Sequence, residues 1–199
     1  MIFIFDFDGV IKDSVDIKGN AFRELYIHES QEIADLIYYD HLQNGGMPRS
    51  EKFDRWEKLF FGRNLTTHRS VELHARFKQI VVNRVLESDF IPGFQQFFKS
   101  LDPSKCYVCT ATPQDEARFI MKKLGLNFSE IWGAPLSKTE IITSILKKTS
   151  ALPSEALYFG DSDKDLVACI ECSVPFVPIN FTGSLLSLPK KITFQDFNY

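Results

Sequence analysis

Four carboxylates occur in two short segments that have the composition of a cation site. Asp6 and Asp8 stand two residues apart after an apolar run at the start of the chain, and Asp161 and Asp165 occur in the segment GDSDKD. Carboxylates gathered in one place repel one another unless a hard cation lies among them, and all-oxygen ligands suit Mg²⁺. The sequence therefore predicts a Mg²⁺ site, provided that the fold brings the two segments together.

Two further side chains fit a site for a dianion. Thr110 follows the apolar run CYVC, and Lys138 lies ahead of a helical pattern. A lysine and a hydroxyl beside a bound cation supply positive charge and a hydrogen bond to a doubly charged group. Each residue by itself also has an ordinary structural interpretation, as a strand-end hydroxyl or a solvated charge at a helix start.

The polar residues fall near the ends of predicted strands. Residues 2–5, 106–109, 156–159 and 175–179 have the composition of buried strands. Helical patterns lie between them, and one that begins at Gln114 stops where Gly125 permits a left-handed residue. Alternating strands and helices predict an α/β fold with a Rossmann-like parallel sheet, whose ligand crevice lies at the carboxyl ends of the strands.

Residues 15–89 differ from the rest of the chain because their apolar residues follow a helical period throughout. This pattern predicts an inserted helical domain of residues 15–89 and a core domain of residues 1–14 and 90–199. Pro92 and Gly93 break any continuing helix at the second boundary. Two short connections would let the insertion hinge on the core.

Two structural expectations concern the end of the chain. Asp163 is expected to cap the helix that follows it, while Ser162 shapes the loop. The segment beyond residue 180 is expected to pack back on the core through Phe181, Phe194 and Phe197.

Four motifs follow one another along the chain: DFDGV, the Thr of CYVCT, the Lys of SKTE, and GDSDKD. In this order they resemble the haloacid dehalogenase (HAD) superfamily of phosphatases and phosphotransferases. The resemblance covers the whole chain and implies a Rossmann-like core with an inserted α-helical cap domain. The position of the insertion is similar to that in the helical-cap subgroup, which includes phosphoglycolate phosphatase and β-phosphoglucomutase.

The resemblance implies a role for each motif residue. Asp6 would attack phosphorus to give an aspartyl phosphate, and Asp8 would serve as general acid and base. Thr110 and Lys138 would complete the catalytic set by stabilising the transition state. The phosphoryl group would be bound by Gly9, Thr110, Ala111 and Lys138.

The resemblance also implies how Mg²⁺ is held. The ion would take the carboxylates of Asp6 and Asp161 and the main-chain carbonyl of Asp8. Asp165 would support this set of ligands.

A glycine-rich break between two predicted helices is the candidate for substrate selection. Helical caps of this kind exclude water and choose the substrate. Arg49 is suited to a second carboxylate or phosphate, and His41 adjoins the loop. An ordinary solvent-facing turn remains an equal alternative. The candidate specificity residues are Lys18, Asn44, Gly45, Gly46, Arg49 and Lys52.

Composition excludes several classes of protein. The 199 residues carry a net charge of −3, so no broad cationic surface is available for nucleic acid or an anionic membrane. The chain lacks an apolar run of about 20 residues and a recognisable signal peptide, which predicts a cytoplasmic protein. We expect a monomer, although the sequence leaves the oligomeric state open.

The four cysteines form two CxxC pairs, Cys106/Cys109 and Cys169/Cys172, which is compatible with a zinc site. Residues three apart in a strand point to opposite faces, so the first pair cannot share a metal ion. Four reduced, mostly buried thiols are therefore expected.

The predicted function is Mg²⁺-dependent hydrolysis of a small phosphorylated metabolite, with a sugar phosphate as the expected class. A phosphomutase of the β-phosphoglucomutase type would use the same residues. Phosphonoacetaldehyde hydrolysis would need a lysine that forms a Schiff base, such as Lys18. Enzymes of that kind usually lack the second aspartate of the first motif, so the presence of Asp8 disfavours this reaction. A non-catalytic binding module is disfavoured because all four motifs are complete.

Overall fold

Five parallel strands form the centre of the protein in the computed structural model, which describes residues 1–185 and 193–196. The strands are β1 (Ile2–Phe5), β2 (Cys106–Pro113), β3 (Glu130–Ala134), β4 (Ala156–Gly160) and β5 (Phe176–Pro178). Their order across the sheet is β3-β2-β1-β4-β5. The central position of β1 places the residues that follow it between the carboxyl ends of β2 and β4.

Eight α-helices connect the strands in the described part of the chain. They are α1 (Val15–Tyr26), α2 (Gln31–Gln43), α3 (Arg49–Phe61), α4 (Thr67–Glu87), α5 (Phe94–Lys99), α6 (Gln114–Lys123), α7 (Lys138–Thr149) and α8 (Asp163–Cys172). Helix α6 ends before Gly125, whose φ of +68° matches the predicted left-handed stop.

Both faces of the sheet are covered. Neighbouring residues of a strand point to opposite faces, so Ile4 and Tyr158 lie in one buried cluster while Phe5 and Phe159 lie in the other. The rings of Phe5 and Phe159 stack with their centroids 4.8 Å apart. The predicted Rossmann-like α/β fold is confirmed.

The strand predictions were incomplete at two places. Strand β3 was missed because its sequence, EIWGA, contains glutamate and glycine and lacks an apolar run, as suits a half-buried edge strand. Strand β2 continues past Cys109 to Pro113 with an irregularity in its pairing, so Thr110 lies within the strand rather than after it.

Helices α1 to α4 occupy the segment between β1 and β2 and are called the inserted helices below. No strand occurs from residue 15 to residue 89, all of which are described, as the helical period predicted. A buried aromatic cluster of Phe22, Phe53, Trp56 and Phe77 holds these helices together. The rings of Phe22 and Phe77 stack with their centroids 4.1 Å apart. The exact division of the chain into core and cap domains remains a prediction.

The two connections to the inserted helices run side by side. The N–H of Asp13 donates to the carbonyl of Asp89 at 2.9 Å, and the N–H of Ile91 donates to the carbonyl of Ile11 at 3.0 Å. The amine of Lys12 is buried between them and donates to carbonyls at the end of α4. These bonds anchor the inserted helices at their junction with the sheet.

The expectations for the end of the chain had mixed outcomes. Phe194 is buried and stacks on Phe97 with ring centroids 5.1 Å apart, and Phe181 packs edge-on against Phe176. Phe197 lies outside the described residues.

The prediction that Asp163 caps α8 was wrong. Ser162 occupies the cap position, and Asp163 is the first helical residue. The Asp163 carboxylate instead accepts the N–H groups of Ser184 and Leu185 at 2.8 and 3.0 Å. A single sequence cannot distinguish two adjacent capping residues when a later segment competes for one of them.

The four cysteines are free thiols. Cys106 and Cys109 lie in the two clusters on opposite faces of the sheet, as expected from their spacing in a strand. None of the described helices is long and apolar enough to cross a membrane.

Candidate active site

The predicted site residues converge at the carboxyl edge of the sheet. Asp6 follows β1, Asp161 follows β4, and Lys138 is the first residue of α7. Asp6, Asp161 and Asp165 each offer a carboxylate oxygen within 4.8 Å of the others. Sheet order explains this convergence, because β1 and β4 are neighbours although their sequences lie far apart.

Asp6 is nearly buried, with 4% of its surface exposed. Its Oδ1 accepts the N–H of Phe7 at 2.7 Å, and its Oδ2 accepts the Lys138 ammonium at 2.8 Å. Burial and the neighbouring carboxylates raise the pKa of Asp6 to about 7, against the opposing effect of Lys138. Lys138 therefore favours the carboxylate form that a nucleophile requires.

Asp165 is fully buried and has its oxygens occupied by donors. Its Oδ1 accepts Lys138 at 2.5 Å and the hydroxyl of Tyr158 at 2.6 Å, while its Oδ2 accepts the N–H of Ser162 at 3.1 Å. Although burial opposes it, the charges of Asp165 and Asp6 raise the pKa of Lys138 and keep the amine protonated. Asp165 thus positions Lys138 and the loop that carries Asp161.

The carboxylate of Asp161 differs from those of Asp6 and Asp165 because it has no hydrogen-bond donor among the described residues. Its side chain accepts no hydrogen bond from residues 1–185 or 193–196, although only 6% of the residue is exposed. Burial and the charges of Asp6 and Asp165 raise its pKa well above the usual value. A buried carboxylate in this position requires a proton or a cation.

These residues fit a magnesium ion. The carboxylates of Asp6 and Asp161 lie close together with one lysine beside them, and the donor set consists of oxygen atoms alone. Mg²⁺ prefers such ligands. The occupied oxygens of Asp165 suit the supporting role that the sequence predicted.

Gly9 has a conformational role in the loop after β1, and its contact with phosphate stays a prediction. Its N–H donates to the carbonyl of Lys12 at 2.8 Å and is therefore already engaged. Its φ is +77°, and a Cβ there would lie 2.2 Å from Oδ2 of Asp161. Glycine is required because no other residue combines this backbone angle with such a close approach.

Asp8 is held by three side chains. Its carboxylate accepts Ser14 at 2.6 Å, Lys18 at 2.5 Å and Thr112 at 3.3 Å. Burial acts to raise the pKa of Asp8, but the charge of Lys18 and the three hydrogen bonds outweigh it and lower the pKa. Asp8 is therefore a carboxylate in this arrangement, the form that accepts a proton.

A pocket with a cavity volume of about 70 Å³ lies between these carboxylates and the inserted helices. Its wall includes Asp6, Asp8, Thr110, Ala111 and Asp161 on the sheet side. Five of the six candidate specificity residues line the other side: Lys18, Gly45, Gly46, Arg49 and Lys52.

Asn44, the sixth candidate, does not line this pocket. Its side-chain amide donates to the carbonyl of Asp40 at 2.9 Å at the end of α2. This contact gives Asn44 a capping role. The predicted contact of Asn44 with substrate stays a prediction.

The glycine-rich loop packs on the acidic loop of the sheet. A Cβ on Gly46, whose φ is +72°, would lie 2.8 Å from both the Cβ of Lys164 and the hydroxyl of Ser162. A Cβ on Gly45 would lie 3.2 Å from the Cβ of Ser162. The two glycines therefore let the inserted helices approach the segment that carries Asp161.

Several residues of the site were missed at the sequence level. Thr112 follows Thr110 by two residues, so strand alternation places both side chains on one face. Ser14 carries a hydroxyl at the start of α1, which was an available signal. Glu116 had no signal, because its partner Arg49 lies 67 residues away. Tyr158 was missed although its partner Asp165 follows seven residues later, because the contact forms only when the loop after β4 turns back on the strand.

A parallel sheet with helices inserted after its first strand and carboxylates at its carboxyl edge defines an α/β protein of Rossmann type with an acidic active site. The chain belongs to the haloacid dehalogenase-like hydrolase family, whose sequence model matches residues 3–179. This match confirms the family that the four motifs indicated. No curated protein matches the sequence.

Solved structures share the fold. CbbY from Rhodobacter sphaeroides, solved in complex with phosphate, is 17% identical with a TM-score of 0.74, and the alignment covers 96% of this chain and 92% of that one. A β-phosphoglucomutase from Clostridium difficile is 20% identical with a TM-score of 0.69 and coverages of 90% and 85%. A predicted phosphoglycolate phosphatase from Haemophilus somnus is 18% identical with a TM-score of 0.68 and the same coverages.

Proposed function

We propose that the protein is a Mg²⁺-dependent phosphomonoester hydrolase that acts through an aspartyl phosphate on Asp6. The convergence of Asp6, Asp8, Thr110 and Asp161 on one pocket carries this proposal. Lys138, hydrogen-bonded to Asp6, completes the set. Membership of a hydrolase family supports the reaction class.

In the first half of the reaction, a carboxylate oxygen of Asp6 attacks phosphorus. The bond between phosphorus and the leaving alcohol oxygen breaks, and that oxygen takes a proton from the protonated form of Asp8, which the lowered pKa makes the minor form in the free protein. Lys138 and Thr110 hold phosphoryl oxygens where negative charge develops. Burial excludes bulk water and strengthens these interactions.

In the second half, Asp8 takes a proton from a water molecule that attacks the aspartyl phosphate. The bond between phosphorus and the Asp6 oxygen breaks, and inorganic phosphate leaves. The contacts of Asp8 with Lys18 and Ser14 favour the carboxylate needed for this step. Bound Mg²⁺, held by Asp6, Asp161 and the main-chain carbonyl of Asp8, would supply positive charge beside the phosphoryl group.

The proposed substrate is a small phosphorylated metabolite of the sugar phosphate class. The wall of the pocket combines amines from Lys18 and Lys52 with the rings of Phe22 and Phe77. Such a wall suits a small polar molecule with an anionic group. The fold shared with a β-phosphoglucomutase is consistent with a sugar.

Location and assembly are further parts of the proposal. The free thiols and the absence of a membrane-spanning helix among the described residues support a cytoplasmic enzyme. The net charge of −3 disfavours nucleic acid and anionic membranes as partners. We propose a monomer, which sedimentation of the purified protein tests directly.

Release of inorganic phosphate tests the reaction. The substrates are a panel of sugar phosphates, phosphoglycolate and nucleoside monophosphates, with MgCl₂ or with EDTA. We expect metal-dependent release that falls roughly a thousandfold or more in Asp6→Asn, since the nucleophile is lost. Asp163→Asn in the same acidic loop removes a carboxylate that contacts Ser184 and should retain activity. No release from any substrate, or full activity of Asp6→Asn, would refute the proposal.

The same panel distinguishes hydrolysis from the phosphomutase alternative. A mutase conserves phosphate and needs a bisphosphate primer, because the group on Asp6 passes to another hydroxyl. Interconversion of glucose phosphates with a primer, without phosphate release, would assign the mutase reaction instead.

A further inference from the structure

The amine of Lys52 is a buried cation in the pocket without an acidic partner. Lys52 lines the pocket although only 2% of its surface is exposed. Its Nζ contacts His41, at 2.8 Å from Nδ1 and 3.5 Å from the main-chain carbonyl. Among residues 1–185 and 193–196, no carboxylate forms an ion pair with it.

The other two candidate cations of the pocket are already neutralised. Lys18 forms an ion pair with Asp8. Arg49 forms a buried ion pair with Glu116 at 2.6 Å and lies over the ring of Phe77. Glu116 thus occupies the anion-binding position that the sequence suggested for Arg49. The Lys52 amine contacts only His41 among the described residues and can still bind an anion.

His41 orients the Lys52 amine. Its Nε2 lies 3.3 Å from the carbonyl of Val15, which can only accept a hydrogen bond, so Nε2 carries the proton and Nδ1 accepts from Lys52. Burial and the charge of Lys52 lower the pKa of His41, which keeps the ring neutral.

The surroundings of Lys52 disfavour its charge when no anion is bound. Burial and the charge of Lys18 lower the pKa of Lys52 to about 7, with partial compensation from Asp40, Asp8 and Asp161. A buried unpaired charge costs free energy that a close anion recovers. An anion from a ligand would therefore be stabilised here.

We propose that Lys52, oriented by His41, binds a second anionic group of the substrate, either a carboxylate or a second phosphate. The inference rests on the proposed function, because the first phosphoryl group is assigned to Asp6 at the opposite wall of the pocket. The substrate class becomes phosphorylated sugar acids and sugar bisphosphates.

Calorimetric titration with non-hydrolysable phosphonates tests this inference in the full chain with MgCl₂. The probes are alkyl phosphonates of three to five carbons that end in a methyl group, a carboxylate or a second phosphonate. We expect one anionic series to bind about ten- to a hundredfold more tightly than the methyl series, as a hydrogen bond to a charged group contributes. The series that gains affinity identifies the second group.

Lys52→Met should bind all three series alike, since methionine fills the same space without a charge. Lys58→Met on the same helix replaces an exposed lysine and should behave as the native protein. Equal affinity for all series in the native protein, or an anion preference that survives in Lys52→Met, would overturn the inference. A Lys52-dependent preference without hydrolysis of any phosphomonoester would retain the subsite and refute the proposed reaction.

Discussion

Lys18, a residue of the inserted helix α1, lowers the pKa of Asp8. It donates to both Asp8 and Thr112 from helix α1, with its Nζ 2.7 Å from the Thr112 hydroxyl. Movement of α1 away from the sheet would remove the largest influence that lowers the pKa of Asp8. The protonation of Asp8 therefore depends on the position of α1 through one side chain.

Lys18→Met should raise the pKa of Asp8, because burial would then be opposed by the hydrogen bonds from Ser14 and Thr112 without the charge of Lys18. We expect the acidic limb of the pH profile of kcat for phosphate release to move to higher pH by about one to three units. Arg23→Met, on the same helix, removes an exposed cation paired with Asp35 and should leave the profile unchanged. An unshifted limb in Lys18→Met would show that Lys18 does not control Asp8.

At the level of elements, the glycine-rich loop must lie against the start of α8. Gly46→Ala should lower kcat/KM for phosphate release about tenfold or more, because the added methyl group collides with Lys164 and Ser162. Gly62→Ala is a matched control, since Gly62 has a similar φ of +63° and no atom within 4 Å of the added Cβ. Both variants should lose about 1 kcal/mol of stability from the positive φ. Equal kinetics in the two variants would contradict the contact.

The ion pair between Arg49 and Glu116 joins helix α3 to helix α6. Both residues are at most 7% exposed, so removal of one partner leaves a buried charge uncompensated. Arg49→Met should lower the free energy of unfolding by roughly 3 kcal/mol. The double variant Arg49→Met/Glu116→Met should recover much of this loss in urea unfolding experiments. Additive losses would show that the pair contributes no coupling.

For the whole molecule, the crowded carboxylates link stability to pH and to divalent cations. The pKa of Asp6 is about 7 in the folded protein and near 3.8 when unperturbed, and the pKa of Asp161 is raised as well. Between these values the folded state binds more protons than the unfolded state, so stability falls as the pH rises from about 4 to 7. A cation relieves the same repulsion.

MgCl₂ should therefore raise Tm more at pH 8 than at pH 5, where protons compete for the same oxygens. Thermal unfolding with MgCl₂ and with EDTA measures this difference without reference to activity. Asp161→Asn should lose most of the Mg²⁺ effect, whereas Asp163→Asn should keep it. Equal Tm values with MgCl₂ and EDTA at pH 8 would argue against the cation site.

The sequence predicted elements well where local composition is distinctive. Strands β1 and β4 are apolar runs that end in polar residues, and the inserted helices follow a clear helical period. It missed β3, which lies at an edge of the sheet and is mostly half-buried. It also assigned the cap of α8 to Asp163, because the competing contact with Ser184 comes from a distant segment.

The sequence by itself indicated the candidate site residues and placed Asp6 and Asp161 after strands and Lys138 at a helix start, because apolar runs, turn residues and helical periods are local properties. Only the tertiary structure decided how the charges are paired. Arg49 is neutralised by Glu116, 67 residues away, whereas Lys52 is left facing the pocket with a neutral histidine. Such pairings depend on sheet order and on the packing of distant helices, and neither property is encoded in the spacing of neighbouring residues.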